Sequence, residues 1–122
     1  MEYDVDGSSL QRTAALQDLV DLRKPVREAV AALSRFDFDS DEELVTLTPS
    51  AIVSVLERYL AGVISALDVE EWAEALFGRD DVGLLAGSEN LLKEAVFELS
   101  TPEINDPISR GLAARWIARL VS

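Results

Sequence analysis

The sequence predicts an all-α protein, a compact helical bundle of about six short helices with an N-terminal helical arm. Apolar residues recur along most of the chain at the spacing of one helix face. Residues that favour helix starts and ends, such as Thr48-Pro49 and Gly62, separate these apolar stripes. A chain of 122 residues is expected to form a single domain. Within it, we expect the arm and an acidic linker over 1–47 and a helical core over 48–122.

The N-terminal arm is predicted to be helical on both sides of a proline. Ser8 and Gln11 have the spacing of a capping box, which predicts that the first helix begins just after Ser8. An apolar stripe then continues past Pro25 without a change of phase. Because proline disrupts a helix interior but fits the first helical turn, we expect two helices. Their expected spans are about 9–23 and 25–35. A single helix kinked at Pro25 is the alternative.

The linker that follows is strongly acidic. Residues 37–43 carry five carboxylates and no base, and residues 44–47 predict a short extended segment. The aspartates at alternating positions resemble the opening of a calcium-binding loop. That loop needs a glycine where this chain has Glu42, and a bidentate glutamate where it has Thr48. We therefore expect a solvated linker that binds no metal.

The helical core is predicted to contain four helices, each preceded by a hydroxyl-bearing capping residue. These capping residues are Thr48, Ser65, Ser88 and Ser109. Gly78 is expected to end the second helix, and residues 79–83 to form the loop after it. Trp72, Phe77 and Trp116 belong to the apolar stripes, so we expect all three to pack in the core.

The composition excludes most catalytic chemistry. The chain has no cysteine and no histidine, so it lacks thiolates, disulfides and the commonest acid–base and zinc-binding side chain. It has no Gly-x-Ser-x-Gly elbow and no phosphate-binding glycine motif. Glu70, Glu71 and Glu74 lie opposite the apolar stripe of their helix, so we expect them to face solvent, where no burial or close charge partner prepares them for acid–base catalysis. We expect a protein that is not an enzyme, with no cofactor and no metal.

The net charge of −12 is the most unusual bulk property of the chain. A field of this sign repels nucleic-acid phosphates and anionic membranes, and it accelerates encounter with a basic protein. The chain also lacks an apolar run of about 18 residues, and its acidic N-terminus does not resemble a secretory signal. We therefore expect a cytoplasmic protein with a basic protein partner, no nucleic acid and no membrane.

The acidic residues are unevenly distributed. Residues 68–106 contain eleven acids but only two bases, Arg79 and Lys93, which gives a local net charge of −9. Glu70 and Glu74 are one helical turn apart and repel each other, a cost that a basic partner would relieve. This segment and the acidic linker form the expected partner-binding surface. Its candidate residues are Asp37, Asp39, Asp41, Glu42, Glu43, Glu70, Glu71, Glu74, Asp80 and Asp81.

The middle of the chain resembles two groups of bacterial proteins. Its pattern Leu56-Glu57-Arg58-Tyr59-Leu60-Ala61-Gly62, Ile64-Ser65, Val69-Glu70-x-Trp72-Ala73 resembles the opening of the colicin D-like immunity proteins. A wider pattern is similar to a group of uncharacterised bacterial helical proteins. It comprises Asp39-Ser40-Asp41, Gly78-Arg79-Asp80-Asp81-Val82-Gly83 and Phe97-Glu98-Leu99-x-x-Pro102-Glu103-Ile104. The first resemblance implies an acidic bundle that covers the active site of a basic ribonuclease toxin. The arm over 1–47 departs from it, and no binding residue is transferred.

These observations lead to two functional hypotheses. The first is an acidic protein-binding domain, specifically an immunity- or antitoxin-like inhibitor that masks a basic toxin. The alternative is a non-catalytic homo-oligomeric scaffold or interaction module, for example a homodimer. The N-terminal arm favours the alternative, because short helices need a surface on which to pack.

Overall fold

The structure is a computed structural model that describes residues 3–122, with side chains from Ser9 onward. The described residues form six α-helices and two short strands. In chain order these are α1 (Tyr3–Val20), α2 (Val26–Leu33), β1 (Val45–Leu47), α3 (Pro49–Leu60), α4 (Ala66–Leu76), β2 (Val82–Leu84), α5 (Glu89–Ser100) and α6 (Arg110–Val121). The predicted all-α class is confirmed. Among the described residues, no helix combines the length and the apolarity needed to cross a bilayer.

Helices α1 and α2 are separate, as Pro25 predicted. Helix α1 ends at Val20, and α2 begins after Pro25. Between them, Leu22 adopts a left-handed conformation with φ of +48°. The carbonyl of Leu22 accepts a 2.7 Å hydrogen bond from Arg58 Nη1, which fixes this turn against α3. The alternative of one helix kinked at the proline is therefore wrong.

The first helix begins earlier than predicted. Helix α1 already includes residues 3–8, so a start at the Ser8–Gln11 capping box is wrong. The side chain of Ser8 lies outside the described residues. The side chain of Gln11 accepts a 2.6 Å hydrogen bond from Arg35 Nη2, just beyond the end of α2. Gln11 therefore joins α1 to the end of α2.

Three of the four N-terminal caps predicted for the core helices are present. Thr48 accepts a 3.2 Å hydrogen bond from the Ala51 amide, and Pro49 follows it as the first helical residue. Ser65 and Asp68 form a reciprocal capping box. Ser109 also caps its helix, α6, through its hydroxyl. Ser88 precedes α5 as predicted, but its hydroxyl makes no capping bond.

Helix α1 contributes to the same core as the helices of the C-terminal half. Leu16 and Leu19 are fully buried, and so is Trp72 on α4. The indole Nε1 of Trp72 donates a 2.7 Å hydrogen bond to the carbonyl of Leu19. The buried apolar residues from α1 to α6 form one continuous cluster. The expected division into an arm over 1–47 and a core over 48–122 is therefore not present in the packing.

The two strands form a small parallel sheet. Val45 pairs with Val82, and Leu47 with Leu84. Strand β1 confirms the extended segment predicted at 44–47. Strand β2 was not predicted, because residues 79–83 read as a loop. A three-residue strand carries almost no periodicity of its own, so its conformation depends on pairing with β1.

Candidate protein-binding site

The structure separates the ten predicted acidic residues into three places. The linker acids Asp37, Asp39, Asp41, Glu42 and Glu43 are exposed. Glu70, Glu71 and Glu74 lie on α4, where Glu74 is exposed and the other two are half-buried. Asp80 is exposed just before β2, whereas its neighbour Asp81 is completely buried. The ten residues therefore differ in exposure, and one of them is not at the surface.

Asp81 is an internal residue, so its assignment to a partner-binding surface is wrong. Its Oδ2 accepts a 2.8 Å hydrogen bond from Arg12 Nε, and its Oδ1 accepts one of 2.9 Å from Arg79 Nε. The side chain of Arg79 is only 2% exposed and that of Arg12 is 19% exposed. We call these three residues the buried ion cluster. It joins α1 to the segment that precedes β2.

The buried ion cluster keeps Asp81 ionised. Burial by itself raises the pKa of Asp81, but hydrogen bonds from Arg79 and Arg12 and their positive charges outweigh it. The net result is a pKa of Asp81 below the ordinary value for aspartate. A carboxylate paired in this way stabilises the fold and is not available as an acid or base.

The same two arginines fix the main chain of the acidic linker. Arg12 Nη2 donates hydrogen bonds to the carbonyls of Asp37 (2.7 Å) and Asp39 (3.0 Å). Arg79 Nη2 donates a third, of 3.2 Å, to the carbonyl of Asp37. The Arg79 guanidinium also lies 4.4 Å from the ring centroid of Phe38. The linker carboxylates consequently project outward from an anchored backbone. Within the described residues, no group of three or more acidic side chains has the arrangement of a metal site.

The carboxylates on α4 repel one another. Partial burial and the adjacent Glu70 raise the pKa of Glu74, and the negative charges of Glu103 and Glu71 raise it further. Glu103 comes from the loop after α5, so this cluster arises partly from tertiary contact. Glu71 and Glu74 also border a shallow depression between α2 and α4, which Arg27 lines from the other side. This face is acidic, but its apolar lining is small.

Removing the charge of Glu74 is expected to stabilise the protein. A raised pKa means that ionisation of Glu74 disfavours the folded state above the unfolded pKa, about 4.3. Glu74→Gln should therefore increase the free energy of unfolding at pH 7 by about 0.2–0.5 kcal/mol. The gain should disappear below about pH 4, where unfolded chains also bind the proton. Urea denaturation at pH 7 and pH 3.5 measures both values.

Glu57→Gln, an exposed change of the same charge on α3, is the matched control for Glu74→Gln. Its unfolding free energy should stay within about 0.3 kcal/mol of the parent at pH 7. If Glu74→Gln destabilises the protein at pH 7, the repulsion inferred for α4 is incorrect.

A groove with a volume of about 820 Å³ lies between the end of α4, β2 and α5. Its apolar lining is Leu47, Leu76, Phe77, Val82, Leu84, Leu92, Val96 and Phe97. The rings of Phe77 and Phe97 have centroids 6.0 Å apart and are tilted by 44°. Phe77 is 49% exposed and Phe97 is 39% exposed. We call this feature the aromatic groove.

Phe77 was expected in the core, and that prediction is wrong. Helix α4 ends at Leu76, and Phe77 has an extended backbone with φ of −65° and ψ of +124°. Its side chain therefore leaves the line of the buried stripe that includes Trp72. Gly78 then adopts a positive φ of +79°, which completes the reversal of the chain. This turn places the Phe77 ring beside α5.

Acidic residues surround the aromatic groove. The lining includes the carboxylates of Glu43, Asp80, Glu89 and Glu94, which we call the rim acids. Glu94 is paired with Arg119 at 3.1 Å, and that hydrogen bond lowers the pKa of Glu94. The other three form no ion pair with another described residue. Lys93 and Arg79 are the bases of the lining, and Arg79 is neutralised by Asp81. The rim therefore presents a negative potential.

Gly83 allows Glu43 to reach this rim. A Cβ atom at position 83 would collide with the carboxyl group of Glu43. The Glu43 side chain consequently folds across β2 at the one strand position without a side chain. Of the ten predicted residues, only Glu43 and Asp80 meet at the groove. Glu89 was not singled out, although its position in the first turn of α5 is typical of helix-stabilising acids.

Phe97 was also missed by sequence reasoning. It follows Val96 directly, and the pair gives α5 a wider apolar surface than one packing stripe needs. That excess was the available indication of an exposed aromatic residue.

Comparison of the chain with protein-family profiles, with curated proteins and with solved structures gave no match.

Proposed function

We propose that this protein is a non-catalytic, acidic protein-binding domain whose aromatic groove and rim acids contact a basic partner. In the finer form of the proposal it is an immunity- or antitoxin-like inhibitor that masks a basic toxin in the cytoplasm. The observation that carries the proposal is the pair of exposed rings, Phe77 and Phe97, inside an acidic rim.

The arrangement of the groove matches how protein interfaces obtain affinity and specificity. Binding energy in an interface concentrates in a few apolar or aromatic anchors, and a polar rim excludes water around them. Phe77 and Phe97 supply such an anchor. Rim charges chiefly accelerate encounter and select partners of opposite sign. With a net charge of −12, the whole molecule adds to this selection for a basic protein.

The finer form of the proposal draws on the pattern over residues 56–73, which resembles colicin D-like immunity proteins. An inhibitor of a cationic nuclease needs no catalytic group. It needs a surface that replaces the phosphates bound by the nuclease. Carboxylates on an anchored backbone, such as those at 37–43 and the rim acids, have the required charge.

The double variant Glu43→Gln/Asp80→Asn tests the groove. Both side chains are exposed, so the fold should be retained. The unmodified protein, immobilised on a resin, is expected to capture a basic protein from a lysate of its source cells at about 50 mM salt. It should release that protein near about 500 mM salt. After purification, that protein should bind the double variant about three- to tenfold more weakly at low salt. Isothermal titration calorimetry measures the ratio.

Glu57→Gln/Asp106→Asn changes the net charge by the same amount away from the groove and is the matched control. An equal loss of affinity in both double variants would mean that the binding is a nonspecific charge effect and does not depend on the groove. Capture of no basic protein by the parent would contradict it outright. For the finer form, the captured protein should arrest growth when expressed alone, and co-expression of the parent should restore growth. Light scattering distinguishes the scaffold alternative from the inhibitor proposal, because the scaffold requires a stable homo-oligomer.

A further inference from the structure

Within the part of the chain that the structure describes, strand β2 has a strand neighbour on one side only. The carbonyl of Asp81 accepts a hydrogen bond from the Val45 amide, and the amide of Leu85 donates one to the Leu47 carbonyl. With the register Val45↔Val82, these bonds show that residues 81, 83 and 85 face β1. The parallel ladder thus uses alternate residues of this segment.

The intervening residues, Val82 and Leu84, direct their main-chain groups to the opposite edge. This follows because the amide and carbonyl of one residue in a strand point the same way, and successive residues alternate. Among the main-chain groups of residues 3–122 and the side chains from Ser9 onward, none forms a loop, cap or side-chain hydrogen bond with the main chain of Val82 or Leu84. Each offers one donor and one acceptor, and buried groups of this kind are normally paired.

The two residues of this unpaired edge belong to the wall of the aromatic groove. Val82 and Leu84 both line the groove, and α5 forms its other wall with Leu92, Val96 and Phe97. Strand β1 is different, because α1 packs against it. The strand whose second edge is unpaired therefore lies in the wall of a concave, partly apolar channel.

We propose that an extended segment of a basic partner pairs with β2 in the aromatic groove as a third strand. This inference rests on the proposed function and specifies the form of its partner. Main-chain bonds to Val82 and Leu84 supply affinity, and the alternating side chains of the added strand supply specificity. Lysine or arginine side chains meet the rim acids, and an apolar side chain contacts Phe77 or Phe97.

A second copy of this chain is a poor occupant of the same edge. Pairing β2 with β2 would bring the two sets of rim acids, Glu43, Asp80, Glu89 and Glu94, close together. Like charges placed in this way cost free energy and are a device that natural edge strands use against self-pairing. The charge of the groove thus selects a basic strand over self-association.

Seven-residue peptides of the sequence Lys-Val-Lys-Phe-Lys-Val-Lys are suitable probes, because they are basic and alternate apolar and charged side chains. Two isomers carry three N-methyl groups each, either on the three apolar residues only or on the three lysines that follow the first one only. Each isomer blocks the hydrogen bonds of one strand edge and leaves the other edge intact. A shift of register by one residue would exchange the apolar and charged faces of the peptide. Such a shift therefore does not restore the blocked hydrogen bonds with the side chains on the correct faces.

One N-methyl isomer is expected to bind the full-length protein at least about tenfold more weakly than the unmethylated peptide, and the other about equally well. Hydrogen exchange by NMR gives a second measurement. The amides of Val82 and Leu84 should be protected at least about tenfold by the unmethylated peptide. The amide of Gly83, which faces β1, is the internal reference and should change less.

The outcomes distinguish this inference from the proposed function. Salt-sensitive binding with equal affinity for both isomers and no selective protection at Val82 and Leu84 would overturn strand pairing alone. Absence of binding by any basic peptide, together with failure to capture a basic protein, would overturn both. Protection of Val82 and Leu84 that grows with protein concentration, without peptide, would identify a second copy as the occupant and refute the basic strand.

Discussion

Asp81→Asn is expected to lower the free energy of unfolding at pH 7 by about 3–5 kcal/mol, the cost of removing one partner from a buried ion pair. The substitution keeps the shape of the side chain but leaves the guanidinium of Arg79, 2% exposed, without a counter-charge. It also weakens the bond to Arg12, which fixes the acidic linker through Asp37 and Asp39. Urea denaturation followed by circular dichroism measures the loss.

The effect should depend on pH in a defined direction. The pKa of Asp81 is lowered in the folded state, so its ion pairs stabilise the protein above the unfolded pKa of about 3.9. That contribution is lost as the pH falls through the lower folded pKa. The difference between parent and Asp81→Asn should therefore be complete at pH 6–7 and shrink below about pH 4.

Asp80→Asn is the matched control, since it changes the adjacent residue by the same chemistry. Asp80 is exposed, and it contacts the linker through its main-chain amide, which donates to the Phe38 carbonyl. Its free energy of unfolding should change by less than about 0.5 kcal/mol. If Asp81→Asn costs less than about 1 kcal/mol, or no more than Asp80→Asn, the buried ion cluster does not stabilise the fold.

Leu19→Ala is expected to destabilise the protein by about 2–5 kcal/mol, the usual range for truncating a fully buried leucine. Leu19 lies in α1 and is 0% exposed, and its carbonyl accepts the indole hydrogen bond of Trp72. The truncation leaves a cavity beside Trp72, so the ring loses packing contacts as well. Chemical denaturation measures the stability, and the fluorescence of the folded state reports the altered packing.

Leu10→Ala makes the same truncation on the same helix, at a side chain that is 71% exposed. Its unfolding free energy should change by less than about 0.5 kcal/mol. Equal, small effects at positions 10 and 19 would mean that residues 1–47 behave as a separable arm. The large difference expected here would mean that α1 packs as part of the core, so deletions of this region would remove core residues.

Local sequence patterns predicted most of the helices because their determinants lie within a turn or two. Thr48-Pro49, Ser65 with Asp68, and Ser109 cap their helices through bonds that span three residues. Apolar periodicity placed Trp72 and Trp116 in the core, where both are buried. Two local patterns failed, because α1 already includes residues before Ser8 and the hydroxyl of Ser88 makes no capping bond.

The aromatic groove could not be predicted in the same way. It combines Glu43, Asp80 and Phe97 from three segments that are distant in sequence. Composition treats every carboxylate alike, so it placed the buried Asp81 together with the exposed Asp80. Burial of that charge is tolerable because Arg79 and Arg12, the latter from α1, both donate hydrogen bonds to it.

The sequence by itself determined the helical class, the capped helices of the C-terminal half, the break at Pro25 and the negative charge. These depend on backbone preferences, apolar periodicity and composition, which act over a few residues or over the whole chain. The tertiary structure alone decided that α1 joins the core, that β2 forms beside β1, and which acids surround Phe77 and Phe97. Those features depend on contacts between distant segments, whose free energy appears only when the packed chain brings them together.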